Sequence, residues 1–103
     1  MSRRRYELAP EARQQLEAIG DYIAEDSIGA ALKVLDALEE SFGVLAENPG
    51  IGHTREDLTD RPVKFWRVFS YLVIYNPASD PLEIISVVHG ARDVGQLLKN
   101  IES

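Results

Sequence analysis

The stretch from Val63 to Asp93, VKFWRVFSYLVIYNPASDPLEIISVVHGARD, constrains the fold more than any other part of the chain. It concentrates β-branched and aromatic side chains, the only Trp and one of the two His. Apolar residues recur at every second position, the period of a strand with two different faces. Lys64 to Ser70 forms one predicted strand, with Trp66 and Val68 on one face and Phe65, Arg67 and Phe69 on the other. Tyr71 to Asn76 forms the next, and no Gly or Pro separates the two. Asn76-Pro77-Ala78-Ser79-Asp80-Pro81 is a turn, because Asn, Pro and Ser supply turn geometry. Leu82 to His89 follows, with Ile84, Ser86 and Val88 opposite Ile85, Val87 and His89. Gly90 ends that strand. Val94, Leu97, Leu98 and Ile101 then fall at helical spacing, which predicts a short helix over Ala91 to Ile101.

Upstream of this stretch the period is helical. Ala12, Leu16, Ile19 and Ile23 make one apolar stripe, predicting a helix over residues 10–26 that opens at Pro10 without a capping side chain at Ala9. Gly20 interrupts it where a neighbour could approach closely. Ser27 can cap a second helix over 28–47, whose stripe is Ala31, Leu35, Leu38, Phe42 and Leu45. The very short link requires the two helices to pair as an antiparallel hairpin. Asn48-Pro49-Gly50 stops the second helix, and 48–62 is a loop. Tyr6 and Leu8 alternate with Arg5 and Glu7 in a short first strand that must join the sheet beside the third or fourth strand. The order β-α-α-β-β-β-α defines an α+β fold, a helical hairpin packed on a small antiparallel sheet, and 103 residues suffice for one domain spanning 1–103.

Composition narrows the chemistry. With no cysteine there is no disulfide framework, thiolate nucleophile or Cys-based zinc site, and a reducing cytoplasm suits the chain. Neither a signal peptide nor a membrane span is expected, and no cofactor motif or metal-ligand spacing is found. The net charge of −6 is unevenly placed: residues 10–48 carry −7, and residues 61–103 carry +1. An acidic helical half argues against broad nucleic-acid binding, which depends on neutralising phosphates, and leaves room only for a small basic site on the second half; no direct sequence-specific nucleic-acid partner is expected. His89, Arg92 and Asp93 cluster where the last strand ends, either as functional groups or as an anchor for the terminal helix.

The chain resembles the ParE branch of the RelE/ParE superfamily, the toxins of bacterial type II toxin–antitoxin modules. The residues that carry the likeness are Leu8-Ala9-Pro10-Glu11-Ala12, Leu45-Ala46-Glu47-Asn48-Pro49-Gly50-Ile51-Gly52, Phe65 to Tyr75, and Val87-Val88-His89-Gly90-Ala91-Arg92-Asp93. The resemblance implies a toxin neutralised by a wrapping ParD-like antitoxin, in a heterodimer or heterotetramer. ParE-type members act on DNA gyrase without catalysis of their own, whereas RelE-type members cleave mRNA on the ribosome. For a ribonuclease, His89 would serve as acid or base and Arg67 and Arg92 as cations. Active RelE-like members commonly carry a Tyr shortly after this basic segment, but Asp93 is followed by Val94-Gly95-Gln96 and no Tyr follows Tyr75. The gyrase reading is therefore preferred, with Arg67, Tyr71, His89 and Arg92 as candidate target-binding residues. A third reading is a ParE-like binding protein that is not toxic. The hairpin edge and the sheet aromatics offer an antitoxin surface of Ile19, Tyr22, Ile28, Leu32, Leu35 and Trp66.

Overall fold

The computed structural model describes residues 5–90; Arg4, Arg92 and the helix expected over Ala91 to Ile101 lie outside the described residues. The chain runs β1 (Tyr6–Leu8), α1 (Pro10–Ala24), α2 (Ile28–Glu47), a 3-10 turn (Pro49–Ile51), β2 (Lys64–Val68), β3 (Tyr71–Asn76) and β4 (Leu82–His89). This is the α+β fold expected. α1 starts at Pro10 with no side-chain cap, and Ser27 Oγ accepts the Ala30 N–H at 3.0 Å to cap α2.

The strands form one sheet in the order β1-β4-β3-β2. β2, β3 and β4 are antiparallel, as the sequence predicts, but β1 lies parallel to β4, with Tyr6 opposite Leu82 and Leu8 opposite Ile84. The sheet is therefore mixed. The reason is the path of the chain: the two helices run out and back, and the segment after α2 crosses to start β2 in the direction of β1. Two antiparallel steps later, β4 again points that way.

Each face of the sheet is buried. Val73, Tyr75, Leu82, Ile84 and Val87 meet Ala12, Leu38, Phe42, Leu45 and Ala46 of the hairpin. Tyr6 packs edge-on against Phe42, with ring centroids 5.4 Å apart. Phe65, Leu72, Ile74 and Val88 bury the other face with Val63 and Leu58. Gly20 sits where α1 crosses α2; a Cβ there would stand 3.0 Å from Leu35 Cδ1. The space left by the glycine is filled by a side chain of the partner helix.

Two departures from simple alternation shape the functional end of the sheet. Ile74 pairs with Ser86 but Tyr75 pairs with Ile84, so Ile85 is an extra residue on β4. Such a bulge shifts the pleat by one, and every later side chain changes face. Ile84 and Val87 thus both face the hairpin, and Ile85 and Val88 both face away. The second departure is the β2–β3 turn. Val68 pairs with Tyr71, leaving Phe69 and Ser70 as a two-residue loop, so β2 stops short of the Ser70 boundary read from the sequence. Phe69 adopts φ 55°. The left-handed region costs an L-residue roughly 1–2 kcal/mol, and glycine is its usual occupant.

Candidate functional site

The outer side of the hairpin carries grooves along its length. At one end Ile28, Leu32 and Leu35 of α2 face Leu16, Gly20 and Ala24 of α1. The middle is lined by Tyr6, Leu8, Leu16 and Phe42, and the far end by Tyr6, Gly43 and Val44. Leu16, Glu17 and Leu35 line both the first and the middle part, and Tyr6 and Glu39 both the middle and the far part, so three grooves adjoin along the hairpin. They are lined by apolar side chains together with the carboxylates Glu17, Asp21, Glu39, Glu40 and Glu47, alongside Arg5 and Arg13. Ile28 is 70% exposed and Leu32 57%, so this end of the hairpin presents apolar side chains to solvent. Such a row of grooves fits an amphipathic segment whose apolar face meets the apolar side chains and whose cations meet the carboxylates.

Not all the expected antitoxin residues lie in these grooves. Leu35 lines one together with Ile28 and Leu32, whereas Ile19 is half-buried against the core. Trp66 lies on β2, half-buried, with its ring stacked on His53 at 6.2 Å and 11°. His53, an exposed residue of the loop after α2, exchanges two backbone hydrogen bonds with Phe65, at 2.8 and 2.7 Å, which tie that loop to the sheet edge. Tyr22 belongs elsewhere. It lines a separate groove with Ile23, Val34, Phe69, Ser70, Tyr71 and His89, where the hairpin end meets the β2–β3 turn.

The strand ends bring two of the proposed target-binding residues together. Tyr71 and His89 are paired across β3 and β4, with rings edge-on at 5.7 Å and 81°. Arg67 is not with them. It pairs with Leu72, whose side chain packs on the face opposite the hairpin, while Tyr71 packs on the hairpin face. Arg67 and His89 therefore project from opposite faces of the sheet and do not form a joint acid–base and cation site. Arg92 lies outside the described residues. Among the described residues no group of three or more His, Asp or Glu could hold a metal ion.

Sequence reasoning missed two residues that shape this end of the molecule. Gln15 on α1 reaches β4 just past the bulge. Its Oε1 accepts the Ser86 hydroxyl at 2.7 Å and the Val87 N–H at 2.8 Å. β1 pairs with β4 only as far as Ile84, and Gln15 takes up the next stretch of strand. A lone Gln on a helix gives no signal of such a role. The other is Phe69, which alternation had assigned to a strand face.

The described residues form a small α+β fold with open grooves along the hairpin and at the β2–β3 turn. The model of the ParE toxin of type II toxin–antitoxin system, parDE, matches residues 6–94. A chain from Sinorhizobium fredii (strain NBRC 101917 / NGR234), "Putative toxin Y4kP", is 30% identical over 98 residues, covering 95% of this chain and all of that one. A solved structure titled "Chromosomal ParDE TA system from P. aeruginosa" aligns with a TM-score of 0.68 at 18% identity, over 84% of this chain and 96% of its own. The chain belongs to the ParE toxin family of type II toxin–antitoxin systems. Among the described residues no helix is long and apolar enough to cross a membrane.

Proposed function

We propose that this ParE toxin arrests bacterial growth by binding DNA gyrase, and that a ParD-like antitoxin silences it by laying a segment along the hairpin grooves. The observation that carries the antitoxin half is the row of adjoining grooves along the hairpin, lined by apolar side chains together with Glu17, Asp21, Glu39, Glu40 and Glu47. It calls for a partner segment with apolar residues at helical spacing and Arg or Lys beside them. The gyrase half rests on membership of the ParE family. It is supported by the separation of Arg67 from His89, which leaves the described strand ends without a joint acid–base and cation pair for cleaving RNA. The work of the chain is recognition. Expression of the chain alone should arrest growth, and co-expression of the small protein encoded beside it should restore growth. Normal growth on expression of the chain alone contradicts the proposal.

A further inference from the structure

The far groove of the hairpin holds a glycine that the fold does not use. α1 and α2 each carry a glycine well inside the helix, Gly20 and Gly43. Only proline is less favourable than glycine in a helix interior, so each position needs a reason. Gly20 has one in Leu35, whose Cδ1 takes the space beside the missing Cβ. A Cβ at Gly43 would meet no atom of the described residues within 4 Å. We infer that Gly43 is a notch for one side chain of the antitoxin segment, an Arg or Lys whose aliphatic stem crosses the glycine and whose head meets the carboxylates beside it. This contact helps decide which antitoxin the toxin accepts. The inference rests on the antitoxin half of the reading above and gives it a position and a side chain.

The surroundings fit that occupant. Gly43 lines the groove with Tyr6 and Val44, and Val44 is 39% exposed, so the notch has apolar walls open to solvent. Glu39, Gly43 and Glu47 follow at steps of four, and Glu40 lies three before the glycine. One face of α2 thus sets carboxylates about 6 Å before and after the gap along the helix axis. All three are exposed, and none has an ion-pair partner among the described residues. Arg5 is the one cation among the described residues of this groove.

Three acids against one base call for positive charge from a partner. The apolar walls call for a long aliphatic stem. Arg and Lys combine the two, whereas an apolar or acidic side chain leaves the carboxylates unmet or repelled. Tyr6 and Glu39 also line the middle groove, so a segment that follows the hairpin arrives at the notch.

The test uses the chain and the small protein encoded beside it. For each variant it reads the melting temperature and size in solution of the free chain, and affinity by isothermal titration. Gly43→Ala and Gly43→Leu place side chains in open space on a helix, so the free chain should melt no lower than wild type. Affinity should fall slightly for Ala and about tenfold or more for Leu, which fills the notch. Lys33→Leu puts the same side chain on an exposed α2 position outside these grooves and should leave affinity unchanged. In the small protein, one Arg or Lys changed to Met should weaken binding to wild type and cost nothing further against Gly43→Leu, as for two residues in contact. The absence of any such Arg or Lys overturns the named occupant. Wild-type affinity for folded Gly43→Leu overturns the notch and leaves the antitoxin reading standing. A lower melting temperature for Gly43→Ala also overturns it, by giving the space to another part of this chain. So does a wild-type dimer that Gly43→Leu dissociates, by giving it to a second copy. Failure of the small protein to bind the wild-type chain overturns the antitoxin reading and the notch with it.

Discussion

The hydroxyl of Tyr75, on a side chain fully buried in the sheet, accepts the Gly52 N–H at 3.0 Å and donates to the Pro49 carbonyl at 2.7 Å. Through these two bonds β3 holds the turn that follows α2, so the far end of the hairpin cannot lift from the sheet. Gly52 is required because a Cβ there would overlap the Tyr75 hydroxyl and crowd its ring. Gly52→Ala should destabilise the protein by about 2–3 kcal/mol, since neither the buried ring nor the turn can move away. Tyr75→Phe should cost about 1–3 kcal/mol by leaving an amide and a carbonyl unpaired. Thermal or urea unfolding of the two variants checks both values.

The same tyrosine sets a pH dependence. Burial raises its pKa above the ordinary value of 10.0, with the Gly52 hydrogen bond opposing more weakly. The folded state therefore keeps the phenol proton longer than the unfolded state. This contribution to stability is complete below the ordinary tyrosine value and falls as the pH rises through the raised one. Melting temperatures taken between neutral and strongly alkaline pH should decline more steeply for wild type than for Tyr75→Phe. Parallel declines would show that the buried phenol does not contribute.

Gln15 joins α1 to β4 where β1 has ended. Gln15→Ala removes the acceptor for two donors, one of them the hydroxyl of the fully buried Ser86. The expected loss is about 1–3 kcal/mol, the cost of leaving buried donors unmet. Amide hydrogen exchange should quicken at Val87 more than at Ile74 or Leu38, because the change is local to the bulge. Equal acceleration everywhere would indicate a general loss of packing.

The hairpin grooves predict which changes separate neutralisation from folding. Leu32→Glu puts a charge on an exposed apolar position and should shift the melting temperature little, since surface substitutions usually change stability by about 0.5 kcal/mol or less. It should weaken antitoxin binding about tenfold or more by setting a carboxylate in an apolar interface. Reversing Glu39 and Glu40 to Lys should also weaken binding and flatten its dependence on salt. Isothermal titration at two ionic strengths measures both effects.

Much of this was legible in the sequence because both helices and three strands keep clean periods over their whole length. The Ser27 cap and the turn before β4 followed from local chemistry. The details that build the two surfaces did not. Ile85 reads as one more alternating residue, and only pairing with β3 shows that it is inserted, which reverses the faces of Val87 and Val88. Phe69 has strong strand character, and the two-residue loop overrides it because Val68 and Tyr71 pair across the turn. The parallel direction of β1 is set by the path of fifty-odd intervening residues through hairpin and crossing loop, which no local pattern carries. Tyr22 lies on the same helix as Leu16, yet the hairpin's geometry places it in a different groove.

We propose that this chain is a gyrase-directed toxin without chemistry of its own. Its most direct test adds the purified protein to DNA gyrase in a supercoiling assay, beside ribosomes programmed with mRNA. The account predicts a concentration-dependent loss of supercoiling and intact mRNA. Undiminished supercoiling together with cleaved mRNA would contradict it.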